Sequence, residues 1–562
     1  MTSNSIDHKR HFQNKSSVYA TTDTGGTASP PPWDAEACTT MARDLVTKCI
    51  HHYEHKPKEK QEEKTVEKKE KVAEKEKEEE KVAEKEKVAE KEKMEEEKGV
   101  DDKEKVADLT VPHISKTIGT LYCGGLGSRV YLRLRLAQHL RAVREQQLKD
   151  KTTTTQTLDE NEKEIQTLLQ DALDVAQDAV EIEVERMKRH SIRVSLLEGP
   201  FVGAKALLAA VHHALGQTDL ALQVGTELLE WIQENTSEKV LPAADCEVLY
   251  GRAGAMQAIL FLRQELEQEN GFGSDLLVSL TQAIVQQGLK TAAAATAKGD
   301  PVSISLPLLW EWQDKTYLGA AHGMVGILHT ILCLPLFELE QISSTLVAED
   351  ATNGSNKKNG EANNLLSMIQ ETIRGLDDLC WPGSGNLPSS YPRSSSSRDK
   401  LVQWCHGAPG HVLLLVKASE VYQDQTFLDR ARELAIGVIW QRGILRKGVG
   451  LCHGISGNAY SLLSLARPPP NSTSESESED TVTARTSWMQ RTCHFAATGM
   501  ERLSRLENIP DHPYSVFEGA GGLALLMMEL GILLHPKKDE EDGTTTTELW
   551  KHGVGRFPLY DF

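Results

Sequence analysis

Cys405-His406-Gly407-Ala408-Pro409-Gly410-His411-Val412-Leu413-Leu414-Leu415-Val416 opens on small residues and then runs apolar. A second copy follows 47 residues later as Cys452-His453-Gly454-Ile455-Ser456-Gly457-Asn458-Ala459-Tyr460-Ser461-Leu462-Leu463. Five more segments share the plan: YCGGLGSRVYLRL from Tyr122, EGPFVGAKALLAAV from Glu198, YGRAGAMQAILFL from Tyr250, AHGMVGILHTILCL from Ala321 and EGAGGLALLMMEL from Glu518. Six of the seven keep two glycines three positions apart, and Gly199 and Gly203 stand four apart.

These runs have no period-two alternation, and Ala, Leu, Met and Gly outnumber β-branched residues, so strands are excluded and helices expected. A helix apolar on every side is buried on every side. Glycine in its first turn lets neighbouring backbones approach, at about 1 kcal/mol each in helix propensity. Intervals of 47 to 84 residues between segments leave room for one outer helix and its loops. The chain therefore reads as all-α, a closed or solenoidal array of helix pairs.

Composition sets the outer limits. The 562 residues carry a formal charge of -19, and no basic stripe marks the folded-looking part, so nucleic acid is not expected as a partner. The start, MTSNSIDHKRHFQNK, lacks a signal-peptide core, and no apolar run reaches membrane-spanning length, which restricts membrane contact to the periphery. Nine scattered cysteines suit a reducing compartment. A cytoplasmic protein, or one peripheral at the plasma membrane, is expected.

Low-complexity segments set the expected divisions: a partly ordered N-terminal segment 1–33, a helical domain of 34–54 with 109–562, and an insertion 55–108 of almost pure Lys and Glu. The insertion has too few apolar residues for a coiled-coil seam and reads as a solvated helix or a disordered tether. Outer helix 34–52 precedes it. Stretches 343–364, 468–486 and 537–547 are polar and read as surface loops.

If the inner helices start at one end of the array, their first turns ring a common mouth and bring residues 405, 406, 452 and 453 together. Two Cys and one His around zinc leave a fourth position open, as in catalytic sites. The alternative is ordinary packing, since buried Cys is a common core residue.

The strings LYGRAGAMQAILFL, YLGAAHGMVGI, VQWCHGAPGHV, KGVGLCHGISGNAY and SVFEGAGGLA, with terminal GRFPLYDF, resemble the eukaryotic lanthionine synthetase C-like family, relatives of bacterial cyclases that build thioether rings. The resemblance implies an α/α barrel (toroid) of seven inner and seven outer helices, with zinc held by Cys405, Cys452 and His453. His406 then lies beside the metal as a second candidate for acid catalysis. The resemblance further implies addition of the glutathione thiol to dehydroalanine or dehydrobutyrine in proteins or peptides. The same resemblance implies that His322 is the general acid that protonates the enolate and that Lys447 and Arg10 engage the tripeptide; Arg252 is a further candidate for anion binding. A thiol of pKa about 8.5 is roughly 3% thiolate at pH 7, so full deprotonation on zinc is worth at most about 2 kcal/mol.

Two other functions use the same residues. A peptide cyclase would need only an intramolecular thiol, and a sensor would bind zinc and glutathione without turnover. Arg133 and Arg135 make the first segment more polar than an inner helix should be, and the insertion has no counterpart in the family core.

Overall fold

The structure, a computed structural model, describes residues 33–54, 120–150, 154–188, 192–268, 271–299, 306–352, 364–392, 398–468, 479–503, 510–534 and 554–562. The helices run in order as α1 (Ala35–Glu54), α2 (Leu126–Asp150), α3 (Thr155–Met187), α4 (Pro200–Ala214), α5 (Thr218–Asn235), α6 (Arg252–Glu265), α7 (Ser274–Ala297), α8 (Met324–Leu332), α9 (Leu336–Thr352) and α10 (Leu365–Asp378). Then come α11 (Ala408–Tyr422), α12 (Gln425–Leu434, continued by a π-helical turn Ala435–Ile439 into Trp440–Arg442), α13 (Ile455–Ser464), α14 (Glu479–Leu503) and α15 (Ala520–Leu533). The only strands among the described residues are β1 (Thr316–Tyr317) and β2 (Ser390–Tyr391), an antiparallel pair that joins the loop before α8 to the loop before α11.

Each glycine-led segment begins a helix: α2, α4, α6, α8, α11, α13 and α15. Every residue of α8 and of α13 is buried; α8 is apolar apart from His329 and Thr330, and α13 carries Ser456, Asn458, Ser461 and Ser464 inside with its apolar residues. By contrast α10 buries Leu365, Met368, Ile369, Thr372, Ile373 and Leu376, the single stripe of a helix with one wet face. The glycine-led helices pack in sequence, α2 on α4, α4 on α6, α6 on α8, α8 on α11, α11 on α13 and α13 on α15, and α15 returns to α2. The intervening helices pack against them, as in the pairs α2 with α3, α4 with α5, α11 with α12 and α13 with α14.

The second glycine in six of the seven segments has a specific steric task. A Cβ on Gly254 would lie 2.1 Å from Val248 O, on Gly326 2.0 Å from Ala320 O, on Gly457 1.8 Å from Leu451 O, and on Gly522 2.6 Å from Val516 O. In each case the carbonyl belongs to the residue six positions earlier. The loop before the helix therefore folds back against the helix's own first turn, and only a hydrogen fits between. Gly203 meets the carbonyl of Leu196, seven back, which is why its segment spaces the glycines by four. Gly407 carries the further burden of φ +114°, a conformation open to glycine and to few other residues.

Folded back in this way, the loops bond to one another. Tyr122 N–H donates to Leu197 O (3.2 Å), Leu196 N–H to Gly254 O (3.0 Å), Ala321 N–H to Cys405 O (3.4 Å), Cys405 N–H to Cys452 O (3.3 Å) and Cys452 N–H to Phe517 O (2.7 Å). One ion pair ties two of these helices together, Arg135 of α2 with Glu265 of α6 at 2.6 Å. The C-terminal residues pack under the same loops, with Phe557 and Tyr560 against Trp404 at 5.4 and 5.2 Å between ring centroids. Asp561 is buried among Lys417 (3.0 Å), Arg467 and Arg556 (3.6 Å). Burial opposes its charge, but these cations hold it well below the usual carboxylate range.

Two expected loops are partly helical. Helix α9 runs to Thr352, into the polar stretch 343–364, and Asn364 at the far end caps α10 by accepting from Leu366 N–H (3.0 Å). Helix α14 starts at Glu479, inside 468–486, because Trp488, Cys493, Phe495 and Ala496 must be buried and the helix that carries them extends back through the polar residues. No single described helix is long and apolar enough to cross a membrane. The chain divides into two units, 1–49 with 117–562 and 50–116. Apart from the end of α1, the second unit with its Lys/Glu insertion lies outside the described residues, as do 1–32 and 537–547.

Gly457→Ala forces a Cβ onto the Leu451 carbonyl and should lower the unfolding free energy by about 1–3 kcal/mol. Gly437→Ala, where an added Cβ meets nothing within 4 Å, should leave stability unchanged or raise it by up to about 1 kcal/mol. Denaturant titration of the two variants against the parent checks both, and equal effects would refute the steric role of Gly457.

Candidate metal centre

Three pre-helix loops converge at one mouth of the ring. Cys405 lies three residues before α11, Cys452 and His453 lie just before α13, and 516–518 lead into α15. The backbone bonds from Cys405 to Cys452 and from Cys452 to Phe517 fix the register between them. One donor atom each from Cys405, Cys452 and His453 falls within 4.8 Å of the others, and all three residues are buried.

The two sulfurs have dedicated donors. Tyr122 Oη donates to Cys452 Sγ at 2.8 Å and Gln403 Nε2 to Cys405 Sγ at 3.1 Å. Burial by itself raises the Cys405 thiol, but hydrogen bonds from Cys452 and His453 and the charges of His406 and His453 outweigh it and hold Cys405 well below the ordinary thiol range. Cys452 moves the other way, pushed up by burial and by its hydrogen bond to Cys405. Ionising one sulfur thus makes the second harder to ionise, a cost that a bound cation removes. Burial and the nearby sulfurs also raise the Tyr122 phenol, which keeps it a proton-bearing donor. Its ring stacks on Phe517 at 5.2 Å. Behind His453, Glu518 Oε1 stands 3.8 Å from Nε2, and Glu518 itself bonds to His512.

Beside this cluster stands His322, whose neighbour Ala321 donates its N–H to Cys405 O. His322 Nδ1 meets Glu247 Oε2 at 2.8 Å. Glu247 is 1% exposed and is held in turn by the N–H groups of Leu249 (3.0 Å) and Tyr250. With Nδ1 donating to the carboxylate, Nε2 is the atom left for proton exchange. Trp312 stacks on the His322 ring at 4.6 Å and 5°, and Tyr250 and Tyr317 flank it at 5.8 and 5.9 Å. His406 lies 6.4 Å from His322 between ring centroids, and its Nδ1 is buried without a hydrogen-bond partner.

The structure thus brings His322 and His406 together with Cys405, Cys452 and His453. Lys447 is exposed, on the loop between Arg442 and Cys452. Arg252 does not join them as an anion binder: it is 1% exposed, and its guanidinium donates to the carbonyls of Pro242 (2.7 Å), Thr236 (3.2 Å), Leu241 (3.0 Å) and Asp245 (3.4 Å). Those contacts make it the internal brace of the loop before α6. Arg10 lies outside the described residues.

Tyr122 and Glu247 were not singled out from the sequence as site residues. Tyr122 opens the first glycine-led segment, so its place at the mouth was implicit in the repeat. Its partner is 330 positions away. Glu247 stands four residues before Gly251, and no local pattern couples it to a histidine 75 positions on.

A family model described as lanthionine synthetase C-like protein matches residues 146–537. The chain is 29% identical over 328 residues to a protein named glutathione S-transferase LANCL1 from Danio rerio, an alignment that covers 58% of this chain and 69% of that one. It is 32% identical over 305 residues to the LanC-like protein GCL1 of Arabidopsis thaliana, covering 53% of this chain and 59% of that one. Among solved structures, nisin cyclase aligns with a TM-score of 0.46 at 17% identity, covering 80% of this chain and 94% of that chain.

Tyr122→Phe keeps the stack on Phe517 and deletes the donor to Cys452. It should cost about 0.5–1.5 kcal/mol of metal-free stability with no change in denaturant slope. An unaltered midpoint in the titration would mean the bond adds nothing.

Proposed function

This chain belongs to the lanthionine synthetase C-like family, and from that premise we propose that it adds the thiol of glutathione to dehydroalanine or dehydrobutyrine residues of proteins or peptides. The observation that carries this reading is the convergence within 4.8 Å of two thiols and an imidazole drawn from segments 47 residues apart, next to a histidine oriented by a buried glutamate. The 29% identity to a protein named as a glutathione S-transferase supports the choice of thiol. We read the closed cycle of seven helices as the inner ring of an α/α barrel, with eight further described helices where seven outer ones were expected, acting in the cytoplasm or peripherally at the plasma membrane.

The donor set fits zinc. Two thiolates and one neutral imidazole are soft and borderline ligands, their summed charge cancels the ion's, and no fourth protein ligand among the described residues completes the set. Cys405, Cys452 and His453 would hold the ion, with Tyr122, Gln403 and Glu518 as surrounding partners. A zinc ion held there lowers the pKa of an incoming thiol and so supplies thiolate near neutral pH.

The chain's own residues do the rest. As the glutathione sulfur bonds to the β-carbon, the C=C π pair shifts toward the carbonyl and the α-carbon must take a proton. His322, protonated on both nitrogens by the proton that the thiol gives up through solvent, delivers one from Nε2, while Glu247 accepts from Nδ1–H, keeps the ring oriented and stabilises the imidazolium. Trp312, Tyr250 and Tyr317 wall this imidazole and limit water around it. His406, in ring contact with Tyr317 and His322, is the reserve acid. Exposed Lys447 engages a glutathione carboxylate, and Arg10 is assigned a similar task.

Purified protein loaded with zinc, given glutathione and a dehydroalanine peptide, should produce the adduct mass gain at a rate that falls to background with Cys452→Ala. His322→Asn should slow it about 10²–10⁴-fold. Adduct formation at the background rate in the loaded protein would contradict the proposal and favour a glutathione sensor. Ring closure in cysteine-bearing peptides without glutathione would favour a cyclase.

Lys447→Ala should raise the KM for glutathione about fivefold, equivalent to about 1 kcal/mol for an exposed ion pair, with metal content unchanged. Loss of metal from that variant would show that its role is structural.

A further inference from the structure

Outside the centre just described, two more groups set a carboxylate, a thiol and an imidazole within 4.8 Å of one another: His329 with Cys333 and Asp561, and Asp377 with Cys380 and His411. The first is already neutralised, because Lys417, Arg467 and Arg556 surround Asp561 and would repel a dication. The second has a single cation, Arg430, on its carboxylate in place of three.

His411, in the first turn of α11, is 0% exposed, and neither ring nitrogen has a hydrogen-bond partner. A neutral imidazole carries one N–H and one lone pair, and buried groups of this kind are ordinarily met. Burial lowers the His411 pKa, with Asp377 raising it and Arg430 lowering it to a lesser degree, which keeps the ring in its neutral, ligating form. Cys380 is buried, with its Sγ 3.7 Å from Leu376 O. Asp377 Oδ1 accepts from Arg430 Nε at 3.0 Å, and one oxygen of this carboxylate lies within 4.8 Å of the Cys380 and His411 donors. The Arg430 charge is shared with Glu433, also at 3.0 Å. Asp377 and Cys380 stand at the C-terminal end of α10, where the helix carbonyls add partial negative charge.

We propose that Asp377, Cys380 and His411 form a second, zinc-class divalent-cation site that ties the end of α10 to the first turn of α11. The ligands supply one thiolate, one carboxylate and one neutral imidazole, so the dication is compensated. On binding, the Cys380 thiol proton leaves to the buffer as the sulfur–metal bond forms, and nothing is oxidised or reduced. The two ends of this tie bracket loop 379–407, which carries Cys405. Occupancy would therefore stiffen the loop that contributes one ligand of the first centre.

The full chain, freed of metal and titrated with zinc chloride, should bind two ions per chain by elemental analysis after desalting. Asp377→Asn/Cys380→Ser should bind one, and Cys405→Ser/Cys452→Ser should also retain one. With cobalt chloride, that residual ion in Cys405→Ser/Cys452→Ser should show a thiolate charge-transfer band of one sulfur, lost when Cys380→Ser is added. One zinc in the parent, or two in Asp377→Asn/Cys380→Ser, overturns the site. If Cys405→Ser/Cys452→Ser fails to fold, the parent and the Asp377→Asn/Cys380→Ser protein still decide it, independently of any glutathione chemistry.

Discussion

The close approach between each inner helix and the loop that leads into it governs the rest of this structure. A carbonyl six residues back from the second glycine lies where a Cβ would be, at 1.8 Å in the case of Gly457 and Leu451. That contact turns the loop across the helix end and exposes its N–H and C=O groups sideways, so that adjacent loops bond to each other. Cys405 N–H finds Cys452 O, and Cys452 N–H finds Phe517 O, because neighbouring helices repeat the same turn. The glycines cost helix propensity and gain in exchange a mouth whose side chains are set to a common register.

Chemistry follows from that register. Two thiols and an imidazole are held together in a buried setting where one sulfur is easily ionised and the other resists, a frustration that a cation relieves. Around them, other groups are spent on orientation: distant Tyr122 and adjacent Gln403 on the sulfurs, and Glu247, 75 positions away, on His322. The C-terminal residues reach the same region through Trp404, with Asp561 anchored by three cations. The tail thus supports the residue next to Cys405 from below.

Much of this was legible in the chain itself. The glycine-led segments named the helices that touch in a closed cycle, and the two Cys-His pairs named the side chains that converge there. What escaped was interaction that depends on closure. Tyr122 and Glu247 acquire their roles only when the first and third segments meet partners 330 and 75 positions away. Arg252 misled for a related reason: a guanidinium at a helix start looks available to an anion, but the loop before α6 curls four carbonyls around it. Polar stretches 343–364 and 468–486 read as loops from composition, yet α9 and α14 extend into them, in α14 because its apolar residues further along are buried.

X-ray absorption at the zinc edge tests the central claim most directly, on Cys380→Ser protein loaded with one equivalent of zinc so that only the principal centre contributes sulfur. The account predicts two sulfur scatterers at about 2.3 Å and an imidazole nitrogen at about 2.0–2.1 Å, falling to a single sulfur when Cys405→Ser is added. A first shell of oxygen and nitrogen alone, or one unchanged by Cys405→Ser, would contradict the convergence on which the account stands.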